Sequence, residues 1–128
     1  MSYLLDTHVV LWWLTDAPDL SPAAREILAD PANRLLVSAA SAWEVATKFR
    51  LGKLPSAAVI ASDFPGWVER MGATELPMTM AHAARAGAFT APHRDPFDRM
   101  LAAQALLEAV PLVSRDAELD AFGVTRLW

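Results

Sequence analysis

Short apolar runs alternate along the chain with longer stretches in which apolar residues recur at helical spacing. The apolar runs predict strands at residues 3–5, 34–38, 111–114 and 124–128, with a weaker candidate at 75–77. The helical stretches cover residues 7–14, 22–29, 42–51, 56–71 with a break near Pro65, 79–87, 96–105 and a short segment from 116. Alternation of this kind predicts a mainly parallel sheet with helices on both faces, which is a three-layer α/β/α sandwich.

Local sequence signals mark where several helices begin and end. Ser21 followed by Pro22 is typical of a helix N-terminus, with serine as the cap and proline in the first turn. Ser41 and Glu44 have the spacing of a capping box, in which the serine caps the helix and the acid returns a hydrogen bond. Gly52 then fits the C-terminal cap of that helix.

Composition and charge limit the class of protein. The chain has 128 residues, of which 54% are hydrophobic and 20% charged, which predicts one folded domain over residues 1–128. It has no cysteine, so disulfides and thiolate metal sites are excluded. Neither a signal peptide nor a membrane-spanning run is recognisable, so we expect a soluble, cytoplasmic protein that does not bind membranes. The net charge of −4 disfavours nucleic acid binding, although metal ions at a carboxylate cluster would reverse the local sign.

Four acidic residues follow predicted strands or open predicted helices: Asp6, Glu44, Asp98 and Asp116. Asp6 comes directly after the first strand, and Asp116 comes shortly after the strand at 111–114. Glu44 lies in the first turn of the helix after the second strand, and Asp98 in the first turn of a helix that leads into the strand at 111–114. In a parallel sheet all these positions lie at the carboxyl edge, where sites form, so we expect the four side chains to converge.

A group of ionised carboxylates repels itself and gains proton affinity unless a cation neutralises it. Carboxylate and water ligands suit Mg²⁺ or Mn²⁺. Such an ion can lower the pKa of bound water, polarise a phosphate oxygen and neutralise a leaving group. We therefore predict a metal site formed by the four acids, with a phosphodiester as its natural substrate.

Each acid also has a structural interpretation. In the structural interpretation, Glu44 is simply the acidic residue of a capping box with Ser41, and its local sequence favours that interpretation. Asp98 follows Asp95, the expected N-cap, at a helical position where the dipole stabilises an acid. Asp116 can be another N-cap. Asp6 is the hardest to explain structurally, because an unpaired charge at an apolar strand-to-helix junction is costly.

Seven polar or basic residues near the acids are candidates for supporting roles: Thr7, His8, Lys48, His93, Arg94, Arg99 and Ser114. The two hydroxyl groups can orient a carboxylate or a metal-bound water, or bond to nearby backbone. The lysine and the two arginines can contact substrate phosphates or form solvated surface. The two histidines are general bases or metal ligands in one interpretation and structural residues in the other. The tryptophans on amphipathic helices are interpreted as core or interface anchors rather than base-stacking platforms: Trp12, Trp13, Trp43 and Trp67.

The motifs around the acids occur in an order that resembles a known family. They read Leu-Leu-Asp-Thr-His at 4–8, Ser-Ala-Trp-Glu at 41–44, His-Arg-Asp-Pro-Phe-Asp-Arg-Met-Leu-Ala-Ala-Gln-Ala at 93–105 and Leu-Val-Ser-Arg-Asp at 112–116. Together they resemble the PIN-domain ribonuclease toxins of the VapC family over nearly the whole chain. The four acids match the family's acidic positions one by one, and Ser114 keeps the hydroxyl where the family commonly has threonine.

The resemblance implies a PIN fold and Mg²⁺- or Mn²⁺-dependent cleavage of RNA, often structured RNA such as tRNA or rRNA, which inhibits translation. It implies the toxin half of a type II toxin–antitoxin system, silenced by a cognate VapB-type antitoxin, and it implies a homodimer. In this scheme Asp6, Asp98 and Asp116 are metal ligands. Glu44 binds the metal, directly or through water, or orients the nucleophile.

Other classes of protein share part of this pattern. A receiver-type phosphorylation domain also has acids at strand ends, but it needs paired acids after the first strand and a lysine after a late strand. No lysine follows Lys53 here. A non-enzymatic module could use the acids to bind a basic partner segment. A haloacid-dehalogenase-like phosphatase is excluded, since His8 stands where its second acid would be.

Overall fold

Five strands and seven helices form the chain, and a computed structural model describes all 128 residues. The strands are β1 (Ser2–Leu5), β2 (Arg34–Ser38), β3 (Thr74–Leu76), β4 (Leu112–Val113) and β5 (Arg126–Leu127). The helices are α1 (Thr7–Leu14), α2 (Pro22–Ala29), α3 (Ala39–Arg50), α4 (Ala58–Ser62), α5 (Phe64–Arg70), α6 (Met80–Ala88) and α7 (Pro96–Leu107). Two 3₁₀ turns cover Pro55–Ala57 and Ala117–Phe122. None of the helices combines the length and the apolar surface that a membrane crossing requires.

All five strands are parallel and lie in the order β3-β2-β1-β4-β5. The central strand is β1, in which Leu4 pairs with Leu36 on one side and with Leu112 on the other. The strand order reverses at β1, because the chain first moves outward to β2 and β3 and later returns to β4 and β5. A crevice forms at the carboxyl ends of strands that flank such a reversal, and here it lies between β1 and β4.

Successive residues of the central strands face opposite layers of helices. One apolar cluster joins Leu5, Val37 and Val113 to buried residues of α1 to α5. The other joins Leu4 and Leu112 to buried residues of α7 and the second 3₁₀ turn. This alternation is the two-residue period of a strand that is covered on both faces. It confirms the predicted three-layer α/β/α sandwich with a parallel central sheet.

The N-terminus of α3 differs from the predicted capping box. The helix begins directly after β2, and its N-cap is Ser38, whose Oγ accepts a backbone N–H of the first turn at 3.0 Å. Ser41 therefore lies inside the helix, buried, with its Oγ 2.8 Å from the Oγ1 of Thr7. Glu44 lies in the second turn and returns no hydrogen bond to a cap. The prediction was wrong because the strand pairing extends as far as Ser38, so extended backbone changes to helix at the earlier serine.

Two further boundaries differ from the predictions. The helical region predicted for residues 56–71 breaks at Asp63, which caps α5 by accepting the backbone N–H of Gly66 at 3.2 Å. Pro65 lies in the first turn of α5, where its missing N–H is not needed. The last strand is shorter than predicted, since only the residues of β5 pair with β4. The caps of α6 at Thr79 and of α7 at Asp95 agree with the sequence prediction.

Candidate active site

Asp6 and Asp116 lie beside the crevice, shortly after the ends of β1 and β4. Asp6 directly follows β1 and Ser114 directly follows β4, and the side chains of Asp6 and Ser114 are both buried. The Oγ of Ser114 donates to the Oδ2 of Asp6 at 2.6 Å and accepts the backbone N–H of Asp116 at 3.0 Å. A single hydroxyl therefore connects Asp6 with the segment of Asp116 across the point where the strand order reverses.

Asp6 and Asp116 also cap the helical segments that follow them. Asp6 is the N-cap of α1, and its Oδ1 accepts the backbone N–H of Thr7 at 2.7 Å. This structural role of Asp6 is not apparent from its local sequence. Asp116 caps the second 3₁₀ turn by accepting the backbone N–H of Glu118 at 3.0 Å, and Asp98 lies in the first turn of α7. Capping and convergence are compatible, because the helices that follow or precede parallel strands expose these ends at the carboxyl edge.

Glu44 reaches the same edge from α3. Its side chain is only 3% exposed, and its Oε2 pairs with the Nζ of Lys48, one turn further along the helix. Its Oε1 is buried and has no hydrogen-bond partner. A buried carboxylate oxygen without a partner is costly. This oxygen is therefore a strong structural sign that a ligand belongs at this edge.

Asp98 enters the site from α7, whose N-cap is Asp95. The Oδ2 of Asp98 lies 2.8 Å from the Nε2 of His93. The Nδ1 of the same ring lies 3.3 Å from the Oε2 of Glu118. The imidazole thus bridges two carboxylates, one on α7 and one on the second 3₁₀ turn. The sequence left the role of His93 open, and the structure places it in direct contact with a candidate site residue.

Burial and mutual repulsion set the protonation of these acids. Burial raises the pKa of Asp6 above its ordinary value, and the charge of Glu44 raises it further, although the hydroxyl partner of Asp6 opposes the shift. Burial also raises the pKa of Asp98, to about 7, against the opposing effect of the hydrogen bond with His93. The charges of Asp6 and Glu44 add to that rise. The charges of Asp6 and Glu44 are therefore close enough to Asp98 to raise its pKa.

Two cationic side chains neutralise part of this charge. Burial lowers the pKa of Lys48, but the hydrogen bond and charge of Glu44 outweigh it and raise the pKa above its ordinary value. Burial likewise lowers the pKa of His93, and the hydrogen bond and charge of Asp98 reverse the effect. Neither cation hydrogen-bonds to Asp6, whose hydrogen-bond partners are Ser114 and Thr7.

The donor set fits a hard divalent cation. Its atoms are carboxylate and hydroxyl oxygens, and a buried carboxylate oxygen of Glu44 lacks a partner. No three acidic or histidine side chains lie close enough together to ligate one ion in this arrangement. Lys48 pairs with Glu44, and His93 pairs with Asp98. Mg²⁺ commonly takes one or two carboxylates and completes its shell with water and substrate oxygens. The residues present are compatible with an ion bound in that way.

The two candidate arginines differ in their surroundings. The guanidinium of Arg99 donates to backbone carbonyls at the end of α6 and in the loop that follows: Ala86, Gly87, Phe89, Ala91 and His93. These bonds use all the N–H groups that an arginine has, which argues against the predicted phosphate contact. Arg94 is exposed and open to a phosphate. The predicted hydroxyl of Thr7 contacts Ser41 rather than a carboxylate.

A cavity of about 280 Å³ opens beside the acids and is lined by Asp6, His8, Trp12, Arg115 and Asp116. The guanidinium carbon of Arg115 lies 4.5 Å from the centroid of the Trp12 ring, and the His8 ring lies 5.6 Å from it. Arg115 is not among the candidates that the sequence suggests, whereas Trp12 packs against the core, as predicted, and also lines this cavity. A signal was present in the four-residue spacing of His8 and Trp12, which places both rings on one side of α1.

The chain is similar to two ribonucleases of Mycobacterium tuberculosis. It is 42% identical over 76 residues to ribonuclease VapC16, in an alignment that spans 59% of this chain and only 54% of that protein. It is 29% identical over 119 residues to ribonuclease VapC22, in an alignment that spans 91% of this chain and 88% of that protein. The second alignment includes nearly the whole fold.

Solved structures share this fold at low sequence identity. VapBC2 from Rickettsia felis, solved with a promoter DNA fragment, contains a chain with a TM-score of 0.71, 16% identity, and coverage of 99% of this chain and 98% of that one. FitAcB from Neisseria gonorrhoeae gives a TM-score of 0.67, 21% identity, and coverage of 98% and 96%. At these identities the likeness concerns the fold alone. The family model of the PIN domain matches residues 3–124, and the chain therefore belongs to the PIN domain family.

Proposed function

We propose that this protein is a metal-dependent endoribonuclease that hydrolyses phosphodiester bonds in RNA. The observation that carries the proposal is the buried, unpartnered Oε1 of Glu44 within a group of acids in which burial and neighbouring charge raise the pKa of Asp6 and Asp98. Such a site is arranged to receive positive charge. Two relatives of this PIN domain are named ribonucleases, which supports RNA as the substrate.

The proposed cofactor is Mg²⁺ or Mn²⁺. Asp6, Asp98 and Asp116 would hold it, and Glu44 would hold it directly or through water, or would orient the attacking water. When bound, the ion would neutralise the acids and polarise a phosphate oxygen.

Protein groups keep the acids in position for this chemistry. Ser114 fixes one oxygen of Asp6 through the 2.6 Å hydrogen bond. Lys48 pairs with Glu44 while its own side chain is 26% exposed. Its ammonium group therefore lies between the buried carboxylate and solvent, where a phosphate oxygen of the substrate can reach it. This arrangement supports the role in phosphate contact that the sequence predicts for Lys48.

The reaction itself is a hydrolysis. The oxygen of a water molecule bonds to phosphorus, the bond from phosphorus to the leaving ribose oxygen breaks, and a proton from the water ends on that oxygen. His93, at hydrogen-bond distance from Asp98, is the imidazole placed to carry a proton during this exchange.

The biological setting we propose is a type II toxin–antitoxin system. The enzyme would act in the cytoplasm on structured RNA such as tRNA or rRNA, inhibit translation, and be silenced by a VapB-type antitoxin. Support comes from the motif resemblance and from the solved structures that share the fold, which are of VapBC and FitAcB proteins.

A homodimer is the proposed working form. Trp43 on α3 is 56% exposed. The Trp43 ring packs edge-on against Phe97 of α7, with 4.9 Å between ring centroids. Tryptophan, phenylalanine and methionine side chains are enriched at protein interfaces. Trp43, Phe97 and Met100 line one groove between α3, α6 and α7, and this apolar patch is the surface we assign to the dimer contact.

The receiver-domain alternative loses support from the topology. Receiver domains have the strand order 2-1-3-4-5, and this sheet has the order 3-2-1-4-5. The alternative of a purely binding module predicts that the purified chain leaves RNA intact.

The decisive experiment is incubation of the purified, partner-free chain with total bacterial RNA and Mg²⁺ or Mn²⁺. We expect discrete cleavage products that disappear with EDTA and with Asp6→Asn. The matched control is Asp30→Asn, which makes the same change at an exposed acid near the opposite edge of the sheet and should leave cleavage unchanged. Full activity of Asp6→Asn, with intact metal binding, would overturn the proposed site. Absence of cleavage by the folded wild type would favour the binding module.

A further inference from the structure

Five residues line the cavity beside Asp6. Asp6 and Asp116 belong to the proposed metal site, whereas His8, Trp12 and Arg115 form a wall that has no part in that site. The volume of about 280 Å³ is just below the usual range for ligand pockets, which suits a fragment no larger than one nucleotide. The cavity is continuous with the proposed catalytic acids, so a ligand that occupies it also reaches them.

Arg115 is held in a defined position, but it forms no strong ion pair. Its guanidinium carbon lies 4.5 Å from the centre of the Trp12 ring. Its only ion pair is with Asp19 at 3.5 Å, and both side chains are well exposed. Exposed pairs of this kind contribute little, so the guanidinium can exchange Asp19 for a phosphate at little cost. The aromatic ring fixes the position of the guanidinium, and ordering it costs less when a ligand arrives.

We infer that Arg115, supported by Trp12, binds the RNA nucleotide next to the scissile phosphodiester, with His8 in the same wall of the cavity. This inference rests on the proposed ribonuclease function. An arginine plane can stack on an unpaired base and can also hold a phosphate in two hydrogen bonds. Arg115 is therefore a substrate-binding residue that helps to choose the nucleotide beside the cut.

A basic protein segment is the competing occupant of an acidic pocket. The carboxylates of Asp6 and Asp116 would attract one, but Arg115 at the wall would repel it. The phosphates of RNA, in contrast, would be attracted by the positive charge of Arg115. The position of Arg115 therefore favours RNA.

The test measures binding of a short, mixed-sequence, single-stranded RNA over a range of salt concentrations, with Ca²⁺ replacing Mg²⁺ to slow cleavage. Arg115→Ala should weaken binding about fivefold or more, the low end of one lost stacking contact. It should also reduce the slope of log affinity against log salt by about 0.7, the value for one phosphate contact on a single strand. Arg115→Lys should restore the slope but not the full affinity, because it keeps the charge and loses the plane.

The matched control is Arg34→Ala, which removes an exposed arginine at the start of β2, on the opposite edge of the sheet. It should leave affinity and salt slope unchanged. Because Arg115 is exposed, its loss should not affect folding, and a thermal melt of each variant checks this. A role limited to surface structure would change the melt without changing the salt slope.

Three outcomes separate the possibilities. Reduced affinity and slope for Arg115→Ala support the inference. Unchanged RNA binding overturns it, and if wild type still cleaves total RNA, the ribonuclease proposal survives on its own. Tighter binding of a polyarginine peptide by Arg115→Ala, with unchanged RNA binding, would also overturn it and would identify the wall as a surface that faces a basic protein segment.

Discussion

Asp98 is the residue at which the electrostatics of the site are most visible. Its pKa is about 7 in the folded protein, against an ordinary value of 3.8, chiefly because it is buried. A group whose pKa is higher in the folded state contributes stability fully below its unfolded value, and that contribution is lost as pH rises through the folded value. For Asp98 the loss falls between pH 3.8 and about pH 7. At neutral pH and above, the metal-free fold therefore carries a repulsion that a bound cation would relieve.

The neutral variant Asp98→Asn tests this directly. In EDTA, we expect the free energy of unfolding of the variant to rise relative to wild type as pH increases across that interval, because the amide adds no charge to the cluster. Urea unfolding at a series of pH values measures the difference. Asp30→Asn, at an exposed acid, should show no such trend. A flat difference for Asp98→Asn would mean that the pKa of Asp98 is ordinary and that the acids do not act as a cluster.

At the scale of elements, the hairpin of α6 and α7 positions His93 for its contact with Asp98. The N-terminus of α6 is closed by a capping box between Thr79 and His82. Its C-terminus is closed by Arg99 of α7, which donates to carbonyls from residue 86 to residue 93. Because the last of these carbonyls belongs to His93 itself, Arg99 anchors the backbone from which that ring reaches Asp98.

We expect Arg99→Lys to destabilise this hairpin. Lysine keeps the charge but carries its donors on one atom, so it cannot reach carbonyls spread along the loop. The loss should be about 2–3 kcal/mol, typical of hydrogen bonds to a charged group. Urea unfolding measures it, and amide exchange should show lost protection in residues 86–93. Arg94→Lys, in the same loop but exposed, is the matched control. An unchanged stability with weaker RNA binding would instead support the phosphate contact predicted from sequence.

The sequence predicts elements well where local patterns are unambiguous. The central strands are short apolar runs, and α7 has Asp95 and Pro96 at its start, so both were predicted. The start of α3 was not, because Ser38 and Ser41 are equivalent cap candidates until the strand pairing is known. The predicted last strand was too long for the same reason, since the length of β5 depends on its pairing with β4.

The site shows the same division between local and distant information. Convergence of the acids follows from strand order, which alternation of strands and helices predicts. The partners of Arg99 and Arg115 cannot be predicted from strand order, because these partners lie on other elements. Arg99 donates to carbonyls at the end of α6, and Arg115 packs on Trp12 of α1. Local sequence assigns such residues a charge and an exposure but no partner.

At the scale of the whole molecule, the sheet explains why one edge carries the candidate site and another surface carries the apolar patch. Parallel strands bring Asp6, Glu44, Asp98 and Asp116 to the carboxyl edge, while α3, α6 and α7 form an outer surface beside it. The apolar patch of Trp43, Phe97 and Met100 lies on that surface. Since Trp43 directly precedes Glu44, a dimer formed through this patch would place a partner next to the site.

The dimer assignment predicts that Trp43→Glu weakens self-association. Trp43 is 56% exposed, so a charged side chain costs less in the monomer than in a dimer, where it would lie in an apolar contact. Sedimentation velocity should show a concentration-dependent dimer for wild type and a monomer for the variant, and a thermal melt checks that the variant is folded. Val59→Glu is the matched control, because Val59 is 68% exposed on α4, away from the patch. A dimer that survives Trp43→Glu but not Val59→Glu would move the interface to the α4 surface. In that case, the closeness of Trp43 to Glu44 would have no bearing on how a partner subunit approaches the site.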